Sequence, residues 1–251
     1  MVVDDAVVTL RRDFSEADRV LELLTFRHGK VSVFAARAKS SRKRFGGGLE
    51  LGSWLKVWLR PKASALWRLE KVELVDGFLQ LRQSLEATAK GMYALELCRE
   101  ICQEGEPMGA IFPLLMRLMK RLQQAPHAVG PLMKFELTLL GYAGWPPQLH
   151  FCERCKTDVL GQSAMFFLPE GVVCMGCSKQ VEERPVLSKE ALETLHILQG
   201  KASKVSGEKL LGQRPSEAQI LEMRLFLDEF WFFHLGKKLK ARVFMDEMVA
   251  G

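Results

Sequence analysis

Four cysteines carry the sharpest chemical pattern in the chain: Cys152-Glu-Arg-Cys155, then eighteen residues, then Cys174-Met-Gly-Cys177. Two Cys-x-x-Cys knuckles at this separation let four thiolates close on one tetrahedral ion from two hairpin-like turns, which suits zinc and its preference for sulfur. Zinc is the expected ion. Iron in a rubredoxin-like site and a redox-active dithiol are the alternatives, and two matched knuckles argue against the dithiol. Four protein ligands leave no coordination position for water or substrate, so the predicted site staples a domain and hydrolyses nothing. A zinc-dependent hydrolase would need an exchangeable water on the ion.

Other catalytic patterns are missing from the sequence. It contains no G-x-x-x-x-G-K-[ST], no H-E-x-x-H and no G-x-S-x-G. His28, His127, His150, His196 and His234 are scattered without metal-ligand spacing. The reading is therefore a binding protein and not an enzyme.

The second chemical feature is a concentration of positive charge. The chain carries 36 Lys and Arg against 30 Asp and Glu, a net +6. Between Glu22 and Glu50 there is no acidic residue, and Arg27, Lys30, Arg37, Lys39, Arg42, Lys43 and Arg44 supply seven positive charges. Five of them fall between Arg37 and Arg44, in a Ser-rich segment followed by Gly46, Gly47 and Gly48, the composition of a mobile loop between strands. Such a run is either a solvated loop without a partner or a surface for a polyanion, and the flanking elements favour the second reading.

Those elements read as β-structure. Ala6 to Leu10, Val20 to Phe26, Val31 to Ala35, Leu51 to Leu59 and Leu66 to Val75 are short, apolar and bounded by charged or Gly-containing turns. Within the fourth, Leu55, Val57 and Leu59 alternate with Lys56, Trp58 and Arg60, the period of a half-buried strand. Five short strands in about 75 residues fit a small closed barrel, and the oligonucleotide-binding barrel is the common one that carries basic loops. Trp54, Trp58 and Trp67 either pack on strand faces or stack on unpaired bases. Trp58 is the first candidate for stacking, because alternation places it beside Lys56 and Arg60.

From Gly77 onward the period becomes helical. Leu81, Leu85, Ala89, Met92, Leu95, Cys98 and Cys102 recur at steps of three and four, so both cysteines are read as small buried hydrophobes and not as ligands. Ile111, Leu115, Leu118 and Leu122 predict a second helix, and Leu132, Phe135 and Leu139 a third, the three making a bundle-like domain. Ile220, Met223, Phe226, Phe230 and Phe233 form a further stripe expected to pack back on that bundle. After it, Gly236-Lys237-Lys238-Leu239-Lys240-Ala241-Arg242 reads as a cationic helix end or a second phosphate-contacting patch.

Length and composition agree with this division. At 251 residues, 48% hydrophobic and 26% charged, the chain has material for more than one packed domain and none of the bias of a disordered protein. It opens Met-Val-Val-Asp-Asp with Arg11, Arg12 and Asp13 soon after, which is no export signal. Its longest stretch without a formal charge, Leu137 to Cys152, is interrupted by Pro146, Pro147, Gln148 and His150, and falls short of the roughly 20 apolar residues a membrane span needs. A cytoplasmic, nucleoid-associated location without a membrane is expected.

Taken in order, these pieces resemble the RecO family of bacterial recombination mediators. The resemblance runs from Val8-Thr9-Leu10-Arg11 through Glu16-Ala17-Asp18-Arg19, Leu24-Thr25 and His28-Gly29-Lys30-Val31 to Arg37-Ala38-Lys39 and Leu49. It resumes at Lys134-Phe135-Glu136-Leu137, Leu139-Leu140-Gly141, Gly144, Cys152-x-x-Cys155, Leu235-Gly236-Lys237 and Leu239-Lys240-Ala241-Arg242. It implies an α+β multidomain protein: an oligonucleotide-binding barrel at residues 1–77, a helical domain at 78–148 and 184–251, and a four-cysteine zinc-finger element at 149–183. It also implies binding of single- and double-stranded DNA, annealing of single strands and, with RecR, assistance to RecA in loading onto DNA covered by single-strand-binding protein.

The residues expected to meet DNA are Arg27, Lys30, Arg37, Lys39, Arg42, Lys43, Arg44, Lys56, Trp58 and Arg60. Those expected to hold structural zinc are Cys152, Cys155, Cys174 and Cys177. Arg117, Lys120, Arg121 and Lys134 are expected to receive the acidic C-terminal tail of single-strand-binding protein, because apolar grooves edged by cations suit acidic-hydrophobic peptides. The competing reading is a zinc-stabilised protein-interaction scaffold without a direct DNA role.

Overall fold

Alternating apolar and polar residues produce five strands in the first 76 residues: β1 (Val2–Asp13), β2 (Arg19–Thr25), β3 (Gly29–Ala35), β4 (Trp54–Arg60) and β5 (Leu66–Asp76). They close into a barrel in the order β1-β2-β3-β5-β4, with β3 and β5 parallel and the other pairs antiparallel. This is the five-stranded oligonucleotide-binding architecture that was expected. β1 is longer than its apolar run because it serves two partners, β4 along Val2–Val7 and β2 along Ala6–Asp13. The register shifts between Val8 and Leu10, where the Thr9 hydroxyl donates to the Glu22 carboxylate at 2.9 Å, and such an irregularity bends a strand around a barrel corner. β4 starts at Trp54 and not at Leu51, because Gly52 turns the chain at φ +77° and donates its N–H to Val8 O at 2.7 Å.

The computed structural model describes residues 1–46, 48–62, 66–200 and 215–250. Ala6, Val8, Leu21, Leu23, Val31, Val33, Leu55, Val57, Leu59, Leu69 and Val72 point into the barrel, as strand alternation requires. The segment read as a mobile loop instead contains a helical turn, α1 (Arg42–Phe45), whose Phe45 is 2% exposed and joins that core with Leu49. At the β2–β3 hairpin, Gly29 has φ +64°, and a Cβ there would lie 2.2 Å from Glu106 O, so only glycine fits. The close approach exists because Lys30 N–H donates to Gln103 O and Met108 N–H to Phe26 O, docking the 103–108 segment on the hairpin.

The contacts divide the chain into two units, Met1–His127 with Leu239–Gly251, and Ala128–Lys238. In the first, the barrel is accompanied by a 3-10 turn (Leu81–Gln83), α2 (Leu85–Ile101) and α3 (Ile111–Gln124). Ser84 caps α2 by accepting from Ala87 N–H. Cys98 and Cys102 are buried as predicted, and burial pushes the Cys98 thiol well up and that of Cys102 up to about 11. Leu85, expected on the same stripe, is 61% exposed, because the extended Ser84 breaks the phase between Leu81 and the helix proper.

The second unit holds α4 (Gly130–Tyr142), β6 (Ala164–Phe167), β7 (Gly171–Cys174), α5 (Met175–Ser178), β8 (Val186–Leu187), α6 (Lys189–Leu198) and α7 (Glu217–Leu235). The three helices read as one bundle are thus shared: α2 packs on α3, and α4 packs on α6 and α7. On α7, Met223, Phe226, Leu227, Phe230 and Trp231 are buried, whereas Phe233, expected on that stripe, is half exposed. Glu136 of α4, fully buried, accepts two hydrogen bonds of 2.6 Å from the Arg224 guanidinium of α7.

Gly236 ends α7 in the left-handed conformation, and α8 (Lys240–Ala250) begins anew in the first unit. Lys240 therefore stands at a helix start and not at a helix end. There the Glu96 carboxylate accepts from the N–H groups of Lys240 and Ala241, and Arg242 pairs with Asp246 at 2.8 Å. Among the described residues no helix is long and apolar enough to cross a membrane.

Candidate nucleic-acid interface and metal centre

The four cysteines converge. Their sulfurs all lie within 4.8 Å of one another, with Cys155 Sγ and Cys174 Sγ 3.7 Å apart. Four sulfurs bound tetrahedrally at about 2.3 Å would sit about 3.8 Å apart, so the cage matches a tetrathiolate metal site with little adjustment. In the first knuckle Lys156 N–H donates to Cys152 O and Cys152 N–H to Thr157 O, a tight turn that aims both thiols inward. In the second, Cys174 ends β7 and Cys177 lies in the turn of α5.

The electrostatics of the cage call for a cation. Cys155 is held down to about 6 by the Thr157 hydroxyl and backbone N–H. Burial opposes ionisation of Cys152, but the N–H groups of Cys155, Cys174 and Arg154 outweigh it and hold that thiol low. Cys177, facing Cys155 and Cys174, is pushed up to about 12. Thiolates this close repel one another until a positive ion sits among them. These residues could hold a metal ion.

The seven charges of the basic stretch do not form one cluster. Arg27 lies in the β2–β3 turn, and Lys30 is the second residue of β3, with its ammonium on Arg99 O at 3.2 Å. Arg37 to Arg44 follow the other end of β3, six residue steps and roughly 20 Å away at strand rise. Arg37 has φ +56°, held there by its N–H on Asp18 Oδ1 at 2.8 Å and by its carbonyl, which accepts from the Ser40 and Ser41 N–H groups. Lys39 is paired with Asp13 at 3.0 Å, and the Asp13 carboxyl is held below 3.8 by Lys39 and Arg19. Lys43 is exposed, and the side chain of Arg42 lies outside the described atoms.

Arg44 turns back, its guanidinium donating to Ala36 O at 2.6 Å and to Ser41 Oγ at 3.1 Å. With Arg37 and Arg68 it lines an open pocket of about 610 Å³, completed by Ala36, Ser40 and Ser41. Arg68 was missed in the sequence because it lies on β5 and arrives only through the parallel pairing of Phe34 with Arg68. Arg60 and Arg68 share Glu70, at 3.2 and 3.3 Å, so two positive charges and one negative leave that trio at +1. Arg37, Arg44 and Arg68 line one opening with Ser40 and Ser41, a residue set that suits phosphate oxygens, with Arg44 already held by Ala36 O and Ser41 Oγ and Arg68 by Glu70.

On the outer face of β4, Lys56 and Arg60 are exposed and Trp58 is half-buried, with Lys71 Nζ 4.5 Å from its ring centroid. Trp54 donates its indole N–H to Asp5, and Trp67 packs against His28. Arg117, Lys120 and Arg121 are exposed along α3 of the first unit, with Lys120 Nζ 5.2 Å from the Trp54 ring centroid. Lys134 is exposed on α4 of the second unit.

A closed five-stranded barrel of the oligonucleotide-binding type with an arginine-lined pocket, in a chain that also builds a four-cysteine cage, defines the structural class of the protein. Known proteins narrow the class. Residues 1–78 match the family model for the Recombination protein O N terminal and residues 82–242 that for the Recombination protein O C terminal. The chain is 38% identical over 245 residues to the DNA repair protein RecO of Anaeromyxobacter dehalogenans (strain 2CP-C), covering 96% of this chain and 94% of that one. It is 33% identical over 246 residues to the DNA repair protein RecO of Myxococcus xanthus, covering 98% and 97% respectively. The chain belongs to the RecO family of DNA repair proteins.

Proposed function

We propose that this chain is a DNA-binding recombination mediator that anneals single strands and, with RecR, helps RecA load onto DNA covered by single-strand-binding protein. The observation that carries the DNA-binding part is the pocket of Arg37, Arg44 and Arg68 with Ser40 and Ser41 on the barrel rim. Cations there displace condensed counterions from phosphates, which makes binding independent of sequence and sensitive to salt. Holding two strands on one basic surface lowers their mutual repulsion and so favours annealing. DNA-contacting residues then extend from this pocket to Lys43, Lys56, Trp58 and Arg60, with Arg27 and Lys30 at the far end of β3.

The ion of the four-cysteine cage is zinc, held by Cys152, Cys155, Cys174 and Cys177. Bound there it supplies cross-linking and no chemistry, since all four positions are taken by protein sulfur. In this reading the barrel, 1–77, serves DNA, the element 149–183 carries the zinc, and the helical segments 78–148 and 184–251, which the contacts divide between two units, serve partners. The acidic tail of single-strand-binding protein is assigned to Arg117, Lys120 and Arg121 in the first unit, with Lys134 in the second unit as a separate candidate. The protein works in the cytoplasm at the nucleoid and catalyses no reaction.

The test is a salt titration of labelled single-stranded DNA. Four contacted phosphates give a slope of log affinity against log salt of about −3, and the triple variant R37A/K43A/R68A is expected to flatten it by about 2. An unchanged slope and affinity would remove the pocket as the DNA surface and leave the zinc-stabilised interaction scaffold as the better reading.

A further inference from the structure

Phe14 is 68% exposed at the start of the β1–β2 loop, which hydrogen-bonds to the segment carrying Arg37 and Lys39. Its ring packs edge-on against Phe34, with centroids 5.6 Å apart at 87°. Phe34 lies on the outer face of β3 and pairs in register with Arg68, which lines the arginine pocket. Phe34 is thus the strand neighbour of a pocket arginine, and Phe14 packs on Phe34.

The loop that presents Phe14 is braced. Phe14 N–H donates to Asp18 O, and Asp18 N–H to Ser15 Oγ. Lys39 donates its N–H to Ala17 O and its ammonium to Ser15 O, and Arg37 donates its N–H to Asp18 Oδ1. The loop and the segment that carries Arg37 therefore form one rim. A large apolar ring held out to solvent on such a rim has its position settled before any ligand arrives, which lowers the ordering cost of binding.

The chemistry of the pair is that of a nucleotide. Guanidiniums and hydroxyls take a phosphate, and an aromatic ring takes a base through its π-face. In a duplex the bases are stacked inside and cannot reach a protruding ring, so the arrangement selects an unpaired strand. We propose that Phe14, backed by Phe34, is a base-stacking platform for single-stranded DNA whose phosphate sits between Arg37, Arg44 and Arg68. The proposal rests on the DNA-binding reading above and adds the strand preference and the residue that produces it.

The experiment measures binding of fluorescein-labelled oligo(dT) and of a duplex of equal length to the full chain, comparing wild type, F14A, F14W and R37A/K43A/R68A. Stacking of about 1 to 3 kcal/mol per base corresponds to a loss of roughly 5- to 150-fold for F14A on oligo(dT). The salt slope of F14A stays at the wild-type value, its duplex affinity changes less than about twofold, and F14W restores oligo(dT) binding. If F14A binds oligo(dT) as wild type does while R37A/K43A/R68A weakens it, stacking is refuted and DNA binding stands. Equal losses for F14A on both substrates would make Phe14 a packing residue and also refute the platform. If neither variant changes binding, the DNA-binding reading itself falls and takes the platform with it.

Discussion

Replacing either member of the Glu136–Arg224 pair gives a sharp check on how the second unit is held together. Glu136 is fully buried on α4, Arg224 on α7 is 13% exposed, and both guanidinium–carboxylate contacts are 2.6 Å. At an effective dielectric of about 20, unit charges roughly 4 Å apart attract by about 4 kcal/mol. Breaking a buried pair by deleting one partner costs about 3 to 5 kcal/mol, because the survivor keeps its desolvation penalty without its counter-charge. The two deletions should differ. Glu136→Ala leaves Arg224 with Asp228 at 3.0 Å and some access to water, whereas Arg224→Ala takes both guanidinium hydrogen bonds from a carboxylate that has no solvent exposure. Arg224→Ala is therefore the worse of the two, and the double variant E136M/R224M, which removes both charges and keeps the volume, is milder than Arg224→Ala alone.

The assay is native-state hydrogen exchange of the α4 and α7 amides, which follows this unit without assuming that the whole chain unfolds in one step. A loss of 3 to 5 kcal/mol lowers protection by roughly two to more than three orders of magnitude. Losses below about 1 kcal/mol for both single variants, or a double variant worse than either single one, would refute the idea that this pair locks α4 to α7.

Three further outcomes are expected. Chelation, or Cys174→Ser, should loosen the β6–β7 module, read as new proteolytic cleavage between residues 150 and 180, and cobalt substitution should give a tetrathiolate spectrum. Gly29→Ala should destabilise the first unit by about 2 kcal/mol or more in urea unfolding, since a Cβ 2.2 Å from Glu106 O must push the docked segment away and φ +64° adds strain. Asp13 and Asp18 carboxyls should titrate in NMR below the ordinary value of 3.8, Asp13 because of Lys39 and Asp18 because of the Arg37 N–H. Their folded values are depressed, so the bracing they supply to the β1–β2 loop is complete above 3.8 and is lost as pH falls through the lower values, a loosening detectable as faster exchange at Arg37 N–H.

Local patterns were legible without coordinates. The Cys-x-x-Cys knuckles announced their cage because each pair is positioned by its own short turn, and strand alternation in Leu55, Val57 and Leu59 placed Lys56, Trp58 and Arg60 outside because the pleat has period two. The burial of Cys98 followed from helical period in the same way. Helix edges were less secure. Leu85 and Phe233 share the spacing of buried neighbours, yet a cap at Ser84 and the choice of which α7 face meets α4 and α6 turned them outward.

Which charges act together was decided by tertiary structure alone. The sequence determined that residues 23–49 are basic, but β3 separates Arg27 and Lys30 from Arg37 to Arg44, and Asp13 neutralises Lys39 from a strand two elements earlier. Arg68 enters the pocket, and Phe34 comes to link it with Phe14, only because β3 and β5 pair in parallel, a contact between segments more than thirty residues apart. Local spacing reports the face on which a side chain emerges, since that depends on its own backbone. Which distant side chain it meets depends on how the barrel closes, and closure is a property of all five strands at once.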